Sequence, residues 1–296
     1  MRIGLIDVDR TSFPNLVLMK LSAHHKSRGD QVEWWNGLLK YDRVYKAKVF
    51  DDTYSEDIEW CINADEIIKG GTGYDLQNKL PEEIEHIKPD YDLYNINDTA
   101  YGFLTRGCPR GCPFCIVKDK EGGRSHQVAD LGEFWNGESR IILLDPNITA
   151  SRECEKLFND LISTGKEIEF NQGIDVRLIT DKGVEQLNQM KLKMLHFAWD
   201  NYEFKTYEKL KAIRPQLRYD SRSLRVYVLT NFNTTFEQDL ERIIKLRELD
   251  FDPYVMIYDK PHAPKKVRQL QGWVNNKRIW RTIENFEEYR PSHRGG

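Results

Sequence analysis

Cys108-Pro-Arg-Gly-Cys112-Pro-Phe-Cys115 places three cysteines within eight residues, directly behind the apolar stretch Tyr101-Gly-Phe-Leu-Thr105. No fourth cysteine follows at ligand spacing. An ordinary [4Fe-4S] cluster takes four thiolates, so three in one short loop leave one iron without a protein ligand and open to a small molecule. Gly107 and Gly111 permit the positive-φ turns that wrap a short loop around a cluster, while Pro109 and Pro113 stiffen it. The competing reading is a structural zinc site in which His126 completes a Cys3His set.

This spacing, with the aromatic Phe114 just before the third cysteine, resembles the signature of the radical S-adenosylmethionine enzymes. The resemblance implies that Cys108, Cys112 and Cys115 bind one [4Fe-4S] cluster. It further implies that the unligated iron holds the amino and carboxylate groups of S-adenosylmethionine, with Phe114 at the cofactor. Reductive cleavage would then give a 5'-deoxyadenosyl radical that takes hydrogen from a substrate. A reductant such as flavodoxin or ferredoxin is implied as a partner.

The 296 residues are 40% hydrophobic and 31% charged, with a net charge of −3. No apolar run approaches the roughly 18 residues needed to cross a membrane, and the start, Met1-Arg-Ile-Gly-Leu-Ile-Asp7, reads as a strand rather than a secretory signal. The cytoplasm is the expected location. Five cysteines, three of them metal ligands, do not make a disulfide framework. Cys61 and Cys154 are expected to be buried thiols.

The first hundred residues read as a small doubly wound α/β unit, with strands over 3–8, 31–35, 44–50 and 66–69 and a helix over 15–29 that ends in basic residues and Gly29. Gly70-Gly-Thr-Gly73, at the strand carboxyl end where doubly wound sheets bind ligands, reads as a ligand loop or, in preference, a plain turn. The acidic, proline-bearing stretch from Leu80 reads as a linker, with a boundary near Pro89. This unit is similar to the cobalamin-binding domain that precedes the core in one branch of the radical S-adenosylmethionine family. The cobalt-ligating pattern Asp-x-His-x-x-Gly is replaced by Asp7-Val-Asp9-Arg-Thr-Ser12, without histidine or glycine, so cobalamin is left open. His24 and His25, near a helix end, read as surface residues.

From Tyr101 strand and helix alternate, with strands over 101–105, 140–144, 167–170, 194–198, 224–229 and 254–258. Such alternation argues for parallel strands with helices outside. The family resemblance gives this the form of a partial (β/α)6 barrel. Functional groups then belong at the carboxyl ends of strands. Asp145-Pro-Asn147 stands where many family members have Gly-Gly-Glu contacting the methionyl amino group. Its carboxylate and amide can accept bonds from an ammonium group, or simply form a turn. Asp175 and Arg177, on one face by alternation, read either as a pair that holds a ribose and a carboxylate or as an ion pair at the rim. Asp200, after the fourth strand, offers a further carboxylate, and Asn231 and Asn233 offer amides.

The tail carries Lys265, Lys266, Arg268, Lys277, Arg278, Arg281, Arg290 and Arg294 against three acids, interleaved with Trp273, Trp280, Phe286 and Tyr289. Cations that neutralise phosphates and rings that stack on unpaired bases suit an RNA or DNA substrate. The same residues also suit a packing helix. With only Cys61 among the N-terminal residues available to a second cluster, methylthiolation is not indicated. The expected organisation is a cobalamin-binding-like α/β domain with linker over 1–89, a radical S-adenosylmethionine core over 90–260 and a basic, aromatic extension over 261–296. The expected function is cleavage of S-adenosylmethionine and hydrogen abstraction from a substrate, a nucleic-acid base among the candidates. The alternative is a zinc-binding, non-enzymatic nucleic-acid-binding protein.

Overall fold

The computed structural model describes residues 1–57 and 61–291. The chain forms two compact units, Met1–Pro146 and Asn147–Gly296. Among the described residues no helix is long and apolar enough to cross a membrane.

In the first unit, β1 (Arg2–Asp7), α1 (Leu16–Ser27), β2 (Gln31–Trp34), β3 (Tyr41–Ala47) and β4 (Ala64–Gly70) build a parallel sheet in the order β2-β1-β3-β4. Chain order reverses beside β1, as in doubly wound sheets. Both faces of β1 are covered: Ile3 and Leu5 pack with Leu18 and Leu21 of α1, while Ile6 packs with Tyr41 and Val44. That is why the strand reads as a continuous apolar run. Asn15 caps α1 by accepting from the Val17 and Leu18 amides, and Gly29 leaves the helix at φ +81°.

The last turn of α1 corrects the surface reading of His25. The residue is 3% exposed, with Nδ1 2.6 Å from Asp30 and Nε2 2.9 Å from the Tyr45 hydroxyl. Burial lowers its pKa. Cys61 is likewise exposed rather than buried, and Cys154 is half-buried, its thiol pushed up to about 12 by desolvation. The stretch from Leu80 is tied down along its length. It forms α2 (Glu82–Glu85), Glu85 pairs with Lys20 at 3.1 Å, and Asp90 accepts from Ser22 at 2.6 Å. At the turn after β4, a side chain on Gly71 or Gly73 would fall 2.2 Å from the Lys48 or Phe50 carbonyl oxygen.

The first unit continues with β5 (Thr99–Gly102), β6 (Thr105–Arg106), α3 (Val117–Glu121), β7 (His126–Gln127) and β8 (Arg140–Leu143). β5 and β8 pair in parallel, and β6 and β7 in antiparallel. The strand expected over 101–105 therefore stops early, because beyond Gly102 the chain turns away and Thr105 pairs with Gln127 instead.

The second unit alternates α4 (Cys154–Thr164), β9 (Glu167–Phe170), α5 (Asp181–Gln189), β10 (Lys191–Ala198), α6 (Phe204–Ile213), β11 (Leu224–Thr230), α7 (Phe236–Glu248) and β12 (Asp252–Ile257). The four strands pair in parallel, each with the next in sequence. Thr235 and Gln238 close α7 with a capping box.

The chain then ends in α8 (Lys265–Asn275) and α9 (Lys277–Thr282). Trp273 and Trp280 are buried, their centroids 4.8 Å apart, and the Arg247 guanidinium lies 3.3 Å from the Trp280 centroid. These two rings serve the protein's own packing. Arg294 lies outside the described residues.

Gly102→Ala tests the turn that follows β5, since an added methyl would sit 2.3 Å from the buried Phe134 ring. The expected loss is about 2–3 kcal/mol, read as a lower urea midpoint at unchanged slope.

Candidate functional site

The cysteine loop is closed at its base before any cysteine is reached. Arg106 reaches Glu121 at 2.9 Å and Glu85 at 3.0 Å, and its guanidinium lies 3.9 Å from the Phe103 ring centroid. Glu121 also accepts from the Gly107 amide at 3.2 Å, and the Cys108 amide donates to the Gly122 carbonyl at 3.1 Å. Gly107, at φ +86°, cannot be replaced without collision, because a Cβ there would lie 2.2 Å from the Arg124 carbonyl oxygen. Inside the loop Gly111 adopts φ +57°, and the Cys115 amide bonds the Cys112 carbonyl at 2.9 Å. Cys108, Cys112 and Phe114 are half-buried and Cys115 is exposed.

Among the described residues no three His, Cys, Asp or Glu side chains gather closely enough to hold a single metal ion. His126 Nδ1 faces the Arg124 carbonyl at 3.2 Å. A cubane cluster makes a different demand, because each thiolate binds its own iron at a separate corner. Three cysteines on one loop, with glycines at its tight turns, fit that donor set.

Asp145, 3% exposed at the end of β8, accepts from the Leu104 amide at 3.1 Å, the Thr105 amide at 2.5 Å and the Thr105 hydroxyl at 2.6 Å. It fixes the chain two residues before Gly107. Burial pushes its pKa up to about 6 despite these three donors.

In the second unit Asn147, Asp175 and Arg177 form one connected series. Asn147 is 4% exposed; its Nδ2 lies 3.5 Å from Asp175 Oδ2, and its Oδ1 accepts from Thr149. Asp175 takes the Arg177 Nε at 2.8 Å, and Arg177 Nη1 reaches Glu203 at 2.7 Å. The pair forms through a tight 3-10 turn capped by Asp175 rather than through strand alternation. Glu203 also accepts from Thr206 at 2.8 Å. Asp200, beyond β10, has its pKa pushed up to about 6, first by burial and against the attraction of Arg242 and Arg177.

Arg242 on α7 is fully buried, donates to the Trp199 and Leu229 carbonyls and pairs with Asp239 at 2.6 Å. It thereby ties together the chain leaving β10 and β11. Asn231 Nδ2 bonds the Tyr258 carbonyl at 2.9 Å, and Asn233 Nδ2 lies 3.3 Å from Asn201 Oδ1.

Glu203 and Arg242 were not among the sequence candidates. The signal for Arg242 was a charged pair, Asp239 and Arg242, on the same apolar stripe as Ile243 and Leu246. Glu203 has no local signature. Its role follows from the path of the loop after β10.

No family model matches the chain, and no curated protein matches it either. Among solved structures it is similar to the radical S-adenosylmethionine methyltransferase TsrM from Kitasatospora setae, solved with cobalamin and a [4Fe-4S] cluster bound. The TM-score is 0.62 at 11% identity, over 86% of this chain and 74% of that one. The two share a fold. The α/β architecture expected from the sequence, a small parallel sheet followed by a partial (β/α)6 barrel, is therefore that of this chain.

The Asp200 pKa predicts the sign of a pH effect. Its folded value, about 6, lies above the ordinary 3.8, so between them the folded state binds more protons than the unfolded state. Stability should fall as pH rises from about 4 to about 6 and then level, by on the order of 2 kcal/mol. Urea unfolding of Asp200→Asn across this range should lack that share of the slope.

Proposed function

We propose that the protein is a radical S-adenosylmethionine enzyme. The observation that carries this reading is a three-cysteine loop, closed by Gly107 and the Arg106–Glu121 pair, in a chain with the fold of such an enzyme. Cys108, Cys112 and Cys115 would hold the [4Fe-4S] cluster and leave one iron for S-adenosylmethionine. When bound, the cluster supplies the electron that cleaves the sulfonium and releases a 5'-deoxyadenosyl radical.

The chain's own part is to bind, orient and exclude water. Phe114 would lie against the cofactor. Asp145 positions the chain before the loop through the Leu104 and Thr105 amides. In the second unit the Asn147 amide, the Asp175 carboxylate and the Arg177 guanidinium are groups that would suit ribose hydroxyls and a carboxylate, and Asp200 would offer a further acceptor. A reductant such as flavodoxin or ferredoxin supplies the electron.

A cobalamin held by the first unit would take no cobalt ligand from the residues after β1. That segment has no imidazole for cobalt, the Asp7 carboxylate accepts from Tyr94 at 2.7 Å, and Asp9 accepts from the Val49 and Phe50 amides. No step is assigned to it. A nucleic-acid substrate would be met by the exposed Lys265, Lys266, Arg268, Arg278 and Arg281 through phosphates. The buried Trp273 offers no ring for stacking.

Anaerobic reconstitution followed by S-adenosylmethionine and dithionite should yield 5'-deoxyadenosine. Cys112→Ala should abolish both iron retention and that product while the Asp175→Asn variant keeps its iron and binds S-adenosylmethionine about tenfold more weakly. Unchanged cleavage in Cys112→Ala would defeat the proposal.

A further inference from the structure

The sheet β9–β12 has one sealed face and one that is not. On the sealed face Phe170 packs against Phe158 of α4 and Phe197 against Phe251, with centroids 5.7 and 6.0 Å apart, and Leu195, Val226, Val228 and Val255 are fully buried. Residues that alternate with these point to the opposite face. There His196 of β10, Tyr227 of β11 and Tyr254 of β12 stand side by side. The His196 and Tyr227 rings are 5.1 Å apart with planes within 7°, and Tyr254 meets Tyr227 edge-on at 5.8 Å. Tyr227 and Tyr254 are only half-buried, and Met256, also on this face, is 47% exposed.

The rings are packed, but their polar tips are unused. Among the described residues His196 Nε2 and the Tyr227 and Tyr254 hydroxyls have no hydrogen-bond partner, and none of the three is sealed from solvent. Partly buried tyrosines usually satisfy their hydroxyls within the protein. His196 is itself 4% exposed and held in one orientation, with Nδ1 3.2 Å from the Phe170 carbonyl. A carbonyl only accepts, so Nδ1 carries the proton and Nε2 presents a lone pair. Burial, with Arg225 and against the Phe170 bond and Glu169, lowers the imidazole pKa.

The charges around this row are already matched. Arg225 Nη2 lies 3.1 Å and Lys277 Nζ 2.7 Å from the Asp252 carboxylate. Among the described residues both of these cations beside the row are engaged by that one carboxylate. The face therefore suits a neutral ligand with a hydrogen-bond donor beside acceptors.

We infer that this face is a substrate-recognition surface: His196 Nε2 accepts a bond from the N–H of a neutral cyclic amide, and the Tyr227 hydroxyl beside it donates to the adjoining carbonyl oxygen. Only the word substrate rests on the function proposed above; the binding itself does not.

The test uses the full chain, cluster-reconstituted, titrated calorimetrically with uracil as a cyclic imide probe and with 1,3-dimethyluracil, which lacks the N–H. Uracil should bind in the millimolar range and the dimethyl analogue should give no heat. His196→Asn keeps a donor for the Phe170 carbonyl but removes the Nε2 acceptor, and Tyr227→Phe removes one hydroxyl while keeping its ring. Each should weaken uracil at least about tenfold without changing the thermal midpoint. Absence of uracil binding, equal binding of both probes, or unaltered uracil binding in Tyr227→Phe would overturn the inference. 5'-Deoxyadenosine formation, measured separately, reports on the radical reading alone, so the two can fail independently.

Discussion

The first unit depends on a single buried carboxylate. Asp145 holds the Leu104 and Thr105 amides and the Thr105 hydroxyl, and this bends the chain out of β5 immediately before the cysteine loop. Without those bonds the two amides would be buried donors lacking acceptors, each costing about 1–3 kcal/mol. The antiparallel pairing of β6 with β7 and the Arg106–Glu121 pair then follow from where Thr105 has been put. A loop of mostly small and polar residues has little apolar surface with which to fix itself, so its geometry has to be imposed at its base.

The second unit solves a related problem with a cation. Parallel strands end in carbonyl groups whose next partners are not set by the sheet, and Arg242 satisfies two of them from α7 while Asp239 balances its charge. Breaking such a buried pair typically costs about 3–5 kcal/mol, so the rim that carries Asp175, Arg177 and Asp200 is held more firmly than loop residues usually are. Arg242 also keeps a positive field at Asp200, against which burial still raises the carboxyl pKa.

The elements themselves were legible because their signals are local. The apolar runs of β1 and β10 to β12, the basic end of α1 with Gly29 and the tight Cys108–Cys115 spacing can each be read within a few residues. What escaped depends on distant partners. His25 looks like a helix-end surface residue until Tyr45 and Asp30 close around it. The 101–105 strand stops at Gly102 because Asp145, forty residues on from Thr105, captures the amides beyond it. Asp175 and Arg177 did come together, but through a 3-10 turn that periodicity does not reveal. Glu203 and Arg242 gain their roles only once β10 and β11 end side by side.

The central claim is that the three cysteines leave one iron of a cubane free for a small molecule. Mössbauer spectroscopy of the anaerobically reconstituted chain, before and after S-adenosylmethionine, tests it most directly. The account predicts that one iron of the four changes its signal on addition while the other three do not. A spectrum with no cubane signal, or one in which S-adenosylmethionine alters no iron, would contradict it.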